Sequence, residues 1–406
     1  MTTTTYEPAV AGQQQASGGQ RADSRTQLVL AVAALVMGLG QTTLFTFLPL
    51  LMEQTGLSLA RITTAFAVGS GLFLIGAPLW SRASDRLGRR PVVVVALLGF
   101  ALSHGLLLWQ LTLGSAWAGQ EAMLMLGRVI YGLTVSGLVP TCQAWLLDLS
   151  GSERRLGVLS RFSAGLTLGR LLGPALAAAS LWLSPQGPLW LVALAAWPAL
   201  LLLPLAAMAP RSDKAQQAVV LDKRNLALWL GLALAMQIAL GQVQYTLGPW
   251  LALRFELTPL AASSQLGWVL TGGALWVMVL QLGVVPRCQA GRGLLLTGGA
   301  AILLSGLLFA LGQSPWLAWL GFAALGSAAS LLVPTYTTLA TQAAGAAGQS
   351  RVAGLIAAAH TVGFSLAAAL AGALFGVLPA APFWLVAVLG LVVLLMAANV
   401  PARATD

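Results

Sequence analysis

The sequence predicts an all-α membrane protein of twelve transmembrane helices, arranged as two parallel six-helix repeats. Three observations predict this fold. Hydrophobic residues make up 58% of the 406 residues and charged residues only 8%, whereas an ordinary soluble domain is about 25% charged. The chain contains twelve apolar stretches of roughly the 20 residues that a helix needs to cross a bilayer. Segments of the first half of the chain also recur in the second half. The composition therefore excludes a soluble enzyme, a disordered protein and a nucleic-acid binder.

The twelve stretches lie between clusters of Arg, Pro, Gly and Ser, and their length favours helices over barrel strands. The predicted spans are residues 27–52, 60–81, 91–113, 122–148, 156–183, 188–208, 226–252, 262–285, 293–312, 316–340, 352–377 and 381–400. Residues 1–26 are polar and predict a disordered cytoplasmic tail. The spans group into an N-terminal bundle at 27–208 and a C-terminal bundle at 226–402, joined by a cytoplasmic linker at 209–225.

The internal repeat supports this division into halves. Ser136-Gly-Leu-Val-Pro-Thr141 reappears as Ser330-Leu-Leu-Val-Pro-Thr335, an offset of 194 residues (330 − 136). Trp190-Leu-Val-Ala-Leu194 reappears as Trp384-Leu-Val-Ala-Val388 with the same offset. Because each half contains an even number of spans, both halves are expected to insert with the same topology.

Basic residues predict the orientation of the spans. With the N-terminus in the cytoplasm, 16 of the 21 basic residues fall in cytoplasmic segments, and only Arg61 and Arg254 fall on the opposite side. Cytoplasmic loops of membrane proteins carry this excess of Lys and Arg. We therefore expect a multi-pass protein of the inner membrane with both termini in the cytoplasm.

The loop between the second and third spans, Ser81-Arg-Ala-Ser-Asp-Arg-Leu-Gly-Arg-Arg-Pro91, resembles the signature loop of the major facilitator superfamily. Ser81 replaces the usual first Gly of that loop. The resemblance implies the major facilitator fold and a gate on the cytoplasmic side, with Asp148 of the fourth span as a partner of the loop arginines. The matching loop positions hold Asp85, Arg86, Gly88, Arg89 and Arg90.

The fifth span resembles the Gly-Pro motif of the drug:proton antiporters in this superfamily. Gly169, Gly173 and Pro174 fall on matching positions, while Ala177 and Ala178 replace the closing Gly-Gly. Small residues four apart allow close helix packing, and Pro bends a helix. In the family this motif is associated with export, so the resemblance implies an exporter.

Charges inside the membrane are costly and therefore mark candidate functional residues. None of the eleven acids lies in the middle of a span, whereas Arg128 and Arg170 lie within the fourth and fifth spans. A buried Arg without a carboxylate needs carbonyl groups, water or an anionic ligand. We expect Arg170, with Arg128, to bind an anionic substrate. For Arg128 the alternative is a structural role in which it donates to backbone carbonyls.

In the family that the chain resembles, substrate binds between the halves near mid-membrane. The polar and aromatic residues of the first, fourth, seventh and tenth spans are then expected to line this site together with the two arginines. The candidate substrate-binding residues are Gln41, Thr42, Phe45, Arg128, Gln143, Arg170, Gln237, Gln244, Tyr245 and Tyr336.

Proton coupling is the expected energy source, although no acid lies at mid-membrane. Glu53 and Asp148 lie near opposite ends of their spans. His360 lies in the eleventh span, which flanks the cavity in the family, and a histidine titrates near neutral pH. These three residues are the proton-coupling candidates.

The sequence thus predicts a monomeric secondary exporter of a small polar or anionic molecule, not an enzyme. It indicates no cofactor, no metal site and no nucleic-acid partner, because catalytic, nucleotide-binding and metal-ligand patterns are absent. Two kinds of exporter remain open: a multidrug efflux pump, and a dedicated exporter of a metabolite such as a carboxylate siderophore. An uptake permease is a third interpretation, which the Gly-Pro motif disfavours.

Overall fold

The computed structural model of the chain describes residues 9–114, 117–150, 155–208 and 223–401, with side chains from residue 24 onward except at 155–156, 223–225, 345–347 and 350. The described residues form helices and no strands. These helices are α1 (Ala9–Thr55), α2 (Leu59–Leu87), α3 (Arg89–Thr112), α4 (Gln120–Val135), α5 (Leu138–Leu149), α6 (Arg155–Ser180), α7 (Gly187–Leu202), α8 (Lys223–Arg254), α9 (Pro259–Val279), α10 (Arg292–Leu311), α11 (Trp316–Ala343), α12 (Gly345–Val377) and α13 (Ala381–Ala398).

Twelve helical stretches of the described residues are long and apolar enough to cross a membrane. The predicted all-α membrane fold is therefore confirmed. The first stretch begins at Ser24, although α1 itself begins at Ala9 and so includes much of the predicted tail. The first eight residues of that tail, and 209–222 of the predicted linker, lie outside the described residues, so both segments stay predictions.

The fourth span differs from the continuous helix that the sequence predicts. It consists of α4 and α5, with Ser136 and Gly137 between them. Pro140 has no N–H group to bond to the carbonyl of Ser136 four residues earlier, which weakens the helix at this point. The N–H of Gly137 instead donates to the carbonyl of Thr134, three residues back, at 3.3 Å.

Close packing of α6 against α1 holds the N-terminal half together. A Cβ atom built on Gly169 would lie 2.1 Å from the carbonyl oxygen of Leu35, and one on Gly173 would lie 2.2 Å from Oγ1 of Thr42. Thr43 donates a hydrogen bond to the carbonyl of Gly173 at 3.2 Å. The small residues of the Gly-Pro motif thus allow two backbones to touch, as such residues do between membrane helices.

The two halves contact each other near the ends of helices at Thr55, Leu59 and Ser180, which we call the closed end. There the α2–α12 contact brings Gly372 against Ala60, since a Cβ atom on Gly372 would lie 2.3 Å from the Cα atom of Ala60. In the α6–α9 contact, a Cβ atom on Gly267 would lie 2.7 Å from the Cβ atom of Ala178. With the orientation that the basic residues predict, the closed end faces the cell exterior.

At the opposite end of the bundle, the signature loop forms a charged cluster centred on Arg89. Gly88, whose φ of 94° suits glycine, turns the chain sharply between α2 and α3. Arg89 donates to Asp85 at 2.6 Å through Nη1 and to Asp148 at 2.9 Å through Nε. Arg90 donates to the carbonyl of Ala206 at 2.7 Å. All these partners belong to the N-terminal half, so the cluster joins its helices to one another.

The substitution Arg89→Ala is expected to destabilise the N-terminal half, because it leaves Asp148, whose side chain is 10% exposed, without its counter-charge. Loss of one partner of such a pair costs on the order of 2 kcal/mol at a partly buried site. The measurement is the unfolding temperature of the purified protein in detergent. Arg82→Ala, at an exposed position of the same segment, is the control. An equal temperature shift in both variants would contradict the structural role of Arg89.

Candidate functional site

A cavity of about 360 Å³ lies between the two halves, next to the closed end. Its walls come from α1, α2, α4 and α6 of the first half and from α8 and α12 of the second half. The lining residues are Gly40, Gln41, Thr42, Leu44, Phe45, Phe66, Gly69, Ser70, Phe73, Arg128, Tyr131, Arg170, Gln237, Leu240, Gln244, Tyr245, His360, Thr361 and Phe364.

Arg170 on α6 presents a guanidinium group to this cavity. Its side chain is exposed, and its Nε donates to Oε1 of Gln41 at 3.1 Å. The Nη1 and Nη2 groups form the fork with which Arg binds a carboxylate through two hydrogen bonds. The bond to Gln41 leaves that fork outside the interaction and thus available to a ligand.

Arg128 on α4 lies beneath the cavity surface and is only 3% exposed. Its Nη2 donates to Oγ of Ser103 at 2.9 Å. The guanidinium carbon lies 5.0 Å from the ring centre of Phe66 and 5.2 Å from that of Tyr131, within the range of cation–π attraction. Its Nε is buried without a hydrogen-bond partner. The bonds of Arg128 thus go to a hydroxyl and to aromatic rings, whereas the structural alternative predicts bonds to backbone carbonyls.

The two arginines give the cavity a positive charge that no described acidic residue pairs with. Within the described residues, the ion pairs join Arg61 to Glu121 and Arg89 to Asp85 and Asp148, all near the ends of helices. Neither Arg128 nor Arg170 takes part in one of these pairs. Charges in a membrane interior are normally paired, so the arrangement favours an anionic ligand.

Aromatic rings form the apolar wall of the cavity beside these charges. Tyr245 of α8 lies with its ring centre 5.1 Å from Phe45, 5.9 Å from Phe66 and 5.5 Å from Phe364. The first two pairs are edge-to-face, which aromatic rings prefer. A ligand in this cavity therefore meets apolar rings on one side and guanidinium groups on another.

A polar stripe on α6 leads from Arg170 towards the end of the bundle that carries the signature loop. Ser160, Ser163, Thr167 and Arg170 are all exposed. Their spacing of three or four residues places them on one face of the helix. This stripe offers polar contacts along the route between that end and the cavity.

His360 of α12 lines the cavity and forms a hydrogen bond of 2.6 Å between its Nε2 and the hydroxyl of Tyr336. Tyr336 of α11 is fully buried behind it. His104 is fully buried in α3, where Nδ1 lies 2.8 Å from the carbonyl of Phe100. His360 therefore has the access to the cavity that a proton carrier needs.

The structure brings most of the predicted substrate-binding residues to one place. Gln143 and Tyr336 are not in the cavity lining, because Gln143 lies half-buried in α5 and Tyr336 lies behind His360. The residues from the candidate set that line the cavity are Gln41, Thr42, Phe45, Arg128, Arg170, Gln237, Gln244 and Tyr245.

Of the proton-coupling candidates, His360 alone lies in the cavity lining. Glu53 is exposed near the end of α1, and Asp148 is held by Arg89 at the end of α5.

Sequence reasoning missed the contribution of α2. Phe66, Ser70 and Phe73 line the cavity, and Oγ of Ser70 lies 3.0 Å from Oγ of Ser365 in the other half. The spacing of four and three residues between Phe66, Ser70 and Phe73 places them on one face of the helix, which was a usable signal. This signal was hidden because most residues of the second span are apolar, whichever way they face.

Residues 30–368 match the family model described as Major Facilitator Superfamily. A triacylglyceride transporter of Mycolicibacterium smegmatis is 30% identical over 156 residues, which are 38% of this chain and 26% of that protein. The chain spans 25% to 34% of the length of the first curated relatives that it matches.

Two solved structures resemble 93% of the chain. A D-xylose-proton symporter superimposes with a TM-score of 0.74 and 18% identity, covering 93% of this chain and 98% of its own. A bacterial homologue of the human lysosomal transporter Spinster, inward-facing and unoccupied, superimposes with a TM-score of 0.70 and 15% identity, covering 93% and 95%. At these identities the likeness shows the fold alone.

Proposed function

Because this chain belongs to the Major Facilitator Superfamily, we propose that it exports a small organic anion with an apolar body by alternating access of the central cavity. The chain is a multi-pass membrane transporter for a small-molecule substrate and not an enzyme. The nature of the cargo, the direction and the energy source are the parts that we propose.

The observation that carries the proposal is the guanidinium group of Arg170 in the cavity wall. Its side chain is exposed to the cavity and pairs with the uncharged Gln41. Arg128 adds a second positive charge nearby, and neither arginine is in an ion pair of the described residues. A carboxylate or phosphate that reaches the cavity replaces the missing counter-charge, which favours an anion over a cation.

The aromatic wall and the volume of the cavity narrow the range of possible cargo molecules further. Phe45, Phe66 and Tyr245 offer contact to an apolar group. A volume of about 360 Å³ lies near the lower end of the 300–1,000 Å³ typical of small-molecule pockets. The aromatic wall and the volume support an amphipathic cargo of modest size, such as an aromatic carboxylate or a carboxylate siderophore. They support the lipophilic cations of a multidrug pump less well.

A lipid is the second candidate cargo, because the curated relatives are named triacylglyceride transporters. The apolar part of the cavity suits acyl chains. The exposed Arg170 does not, since triacylglycerides carry no charge. A molecule with three acyl chains also exceeds the cavity volume of about 360 Å³, so lipid transport requires a larger opening between the halves.

Two features support export over uptake. The fifth span carries the Gly-Pro motif that resembles the exporter branch. The polar stripe of α6 runs from the cavity to the end with the signature loop, which the basic residues predict to be cytoplasmic. Cargo loaded from the cytoplasm therefore meets a polar route to Arg170, while the closed end blocks the other side.

Protons are the proposed coupling ion, with His360 as the first residue to test. An inside-out vesicle preparation with an imposed pH gradient measures this coupling as gradient-driven accumulation of anion. We expect His360→Gln to abolish the dependence on the gradient, and Glu53→Gln to leave it intact because Glu53 does not line the cavity. Asp148→Asn tests the third candidate. Accumulation that is indifferent to the gradient would contradict proton coupling.

Deletion of the gene, followed by comparison of metabolites in cells and medium, tests the export proposal. Retention of one anionic compound inside the cells supports a dedicated anion exporter. Sensitivity to many drugs without a retained anion supports a multidrug pump, and accumulation of triacylglycerides supports the lipid candidate. Retention of a cationic compound alone would contradict the anion proposal.

A further inference from the structure

The break between α4 and α5 is also the place where a tryptophan of α2 contacts the fourth span. Since the N–H of Gly137 bonds to Thr134 instead of Leu133, the carbonyl of Leu133 is freed from the helix ladder. Nε1 of Trp80 donates to this carbonyl, and Oγ of Ser136 also lies 3.1 Å from it. A short i→i−3 bond inside a long helix often marks a hinge.

Packing holds Trp80 at this break. A Cβ atom on Gly137 would lie 2.7 Å from the Cβ atom of Trp80, and one on Gly76 would lie 2.2 Å from Oγ of Ser136. No side chain larger than hydrogen fits at either glycine without movement of α2 or the break. The indole of Trp80 thus lies against the break and satisfies the carbonyl group that the break exposes.

The break separates two functional parts of the fourth span. Arg128 lies in α4, nine residues before Gly137, and Asp148 lies in α5, eleven residues after it. Trp80 is also one helical turn from Ser84, whose hydroxyl accepts from Arg89 at 2.6 Å. The Arg89 cluster is therefore connected to the break both along α5, through Asp148, and along α2, through Ser84 and Trp80.

The second half of the chain contains a repeat-related contact without the break. Trp276 of α9 donates from Nε1 to Oγ of Ser327 at 2.9 Å, and Ser327 is 194 residues after Leu133 (327 − 133). Here the acceptor is a side-chain hydroxyl, and α11 runs unbroken through Pro334. Leu331 takes the place of Gly137 in the repeated segment. Proline alone therefore does not break this span, and the difference lies in the glycine and in the contact to the backbone carbonyl.

We propose that Trp80 is a positioning residue for Arg128, which it holds in place through a hinge at Ser136 and Gly137. The hinge sets the direction of α4 relative to α5, and α4 carries Arg128 between Phe66 and Tyr131. The repeat-related tryptophan, Trp276, lacks this effect because it contacts a continuous helix. The importance of Arg128 for cargo binding rests on the proposed function, whereas the argument for the hinge at Ser136 and Gly137 does not.

Trp80→Phe tests the hinge, because it removes the N–H donor and keeps an aromatic ring against Gly137. We expect amide hydrogen exchange in residues 133–141 to accelerate about fivefold, the effect of one lost hydrogen bond. Trp276→Phe is the matched control, and we expect no change in residues 327–335. Unchanged exchange at 133–141, or an equal change in both variants, would overturn the proposal.

A second measurement follows the accessibility of position 128. In a chain with Cys142→Ala and Cys288→Ser, an Arg128→Cys reporter is labelled with a small water-soluble thiol reagent. Adding Trp80→Phe is expected to change the labelling rate about fivefold, because α4 changes its direction, while adding Trp276→Phe is expected to leave the rate unchanged. Equal labelling with and without Trp80→Phe would overturn the positioning role.

A cargo measurement distinguishes this proposal from the proposed function. With 2-naphthoate as the probe, we expect Trp80→Phe to raise the KM of transport about fivefold with little change in the maximal rate. Failure of the wild-type protein to bind 2-naphthoate would count against the anion function, and the exchange and labelling results would still decide the role of Trp80. A normal KM for 2-naphthoate in Trp80→Phe, with wild-type transport intact, would overturn the role of Trp80 in recognition.

Discussion

Replacing Arg170 by glutamine is expected to weaken the binding of 2-naphthoate about 10- to 100-fold, the effect of losing hydrogen bonds between charged groups. Arg170 is the exposed cation of the cavity wall, and its Nη1/Nη2 fork is not engaged by Gln41. Arg170→Lys keeps the charge but loses the two-pronged geometry, so its affinity should fall between those of the wild type and Arg170→Gln. The measurement is calorimetric titration of the purified protein in detergent.

Two controls show whether charge recognition is lost. The neutral amide 2-naphthamide has the same ring system without the carboxylate, so Arg170→Gln should change its affinity little. The second control is Arg161→Gln, which removes a positive charge from the same helix. Arg161 donates to Gln27 at 2.6 Å and does not line the cavity. Wild-type affinity of Arg170→Gln for 2-naphthoate would contradict the proposed anion site.

The substitution Gly372→Val is expected to hold the closed end open and reduce transport about tenfold or more, because overpacking of this kind costs roughly 1–3 kcal/mol. A Cβ atom at position 372 would lie 2.3 Å from the Cα atom of Ala60 in the other half. Backbone atoms cannot move aside as the tip of a side chain can, so the halves must separate at that end. A cysteine at Gln244→Cys, in the chain without Cys142 and Cys288, should then react with an impermeant maleimide added outside the cells.

Gly376→Val is the matched control for this effect. Gly376 lies one turn further along α12, and a Cβ atom there would meet nothing within 4 Å. We expect this variant to transport normally and to leave the Gln244→Cys reporter protected from outside. Protection of the reporter in Gly372→Val would contradict the closed end that we describe. Labelling in both variants would show that the reporter responds to any larger side chain on α12 and not to the clash with Ala60.

The fold followed from the sequence because the membrane imposes strict length and polarity limits. Twelve apolar stretches and an internal repeat in the same order leave few arrangements, and the fold of twelve spans is confirmed. The break in the fourth span was harder to predict. Pro140 and Pro334 occupy equivalent positions in the repeat, but only the first is accompanied by a helix break, and the difference depends on Gly137 and on a tryptophan from another helix.

The candidate site could be predicted where polarity marks it. Arg128, Arg170 and Gln41 stand out in apolar spans, and the structure places them around one cavity. Phe66 and Phe73 do not stand out, because an aromatic residue suits lipid, protein core and cavity equally well. The closed end could not be predicted from composition, since the same spans are apolar whichever side of the cavity is open.

The arginine-lined cavity also has an electrical consequence. The positive groups that meet the cargo are part of the protein, so a bound anion crosses the membrane with its own negative charge. For outward movement, a potential that is negative inside contributes about 2.3 kcal/mol per elementary charge and per 100 mV. Export of an anion through this cavity would therefore be electrogenic, and the membrane voltage would drive it together with any proton that moves in return.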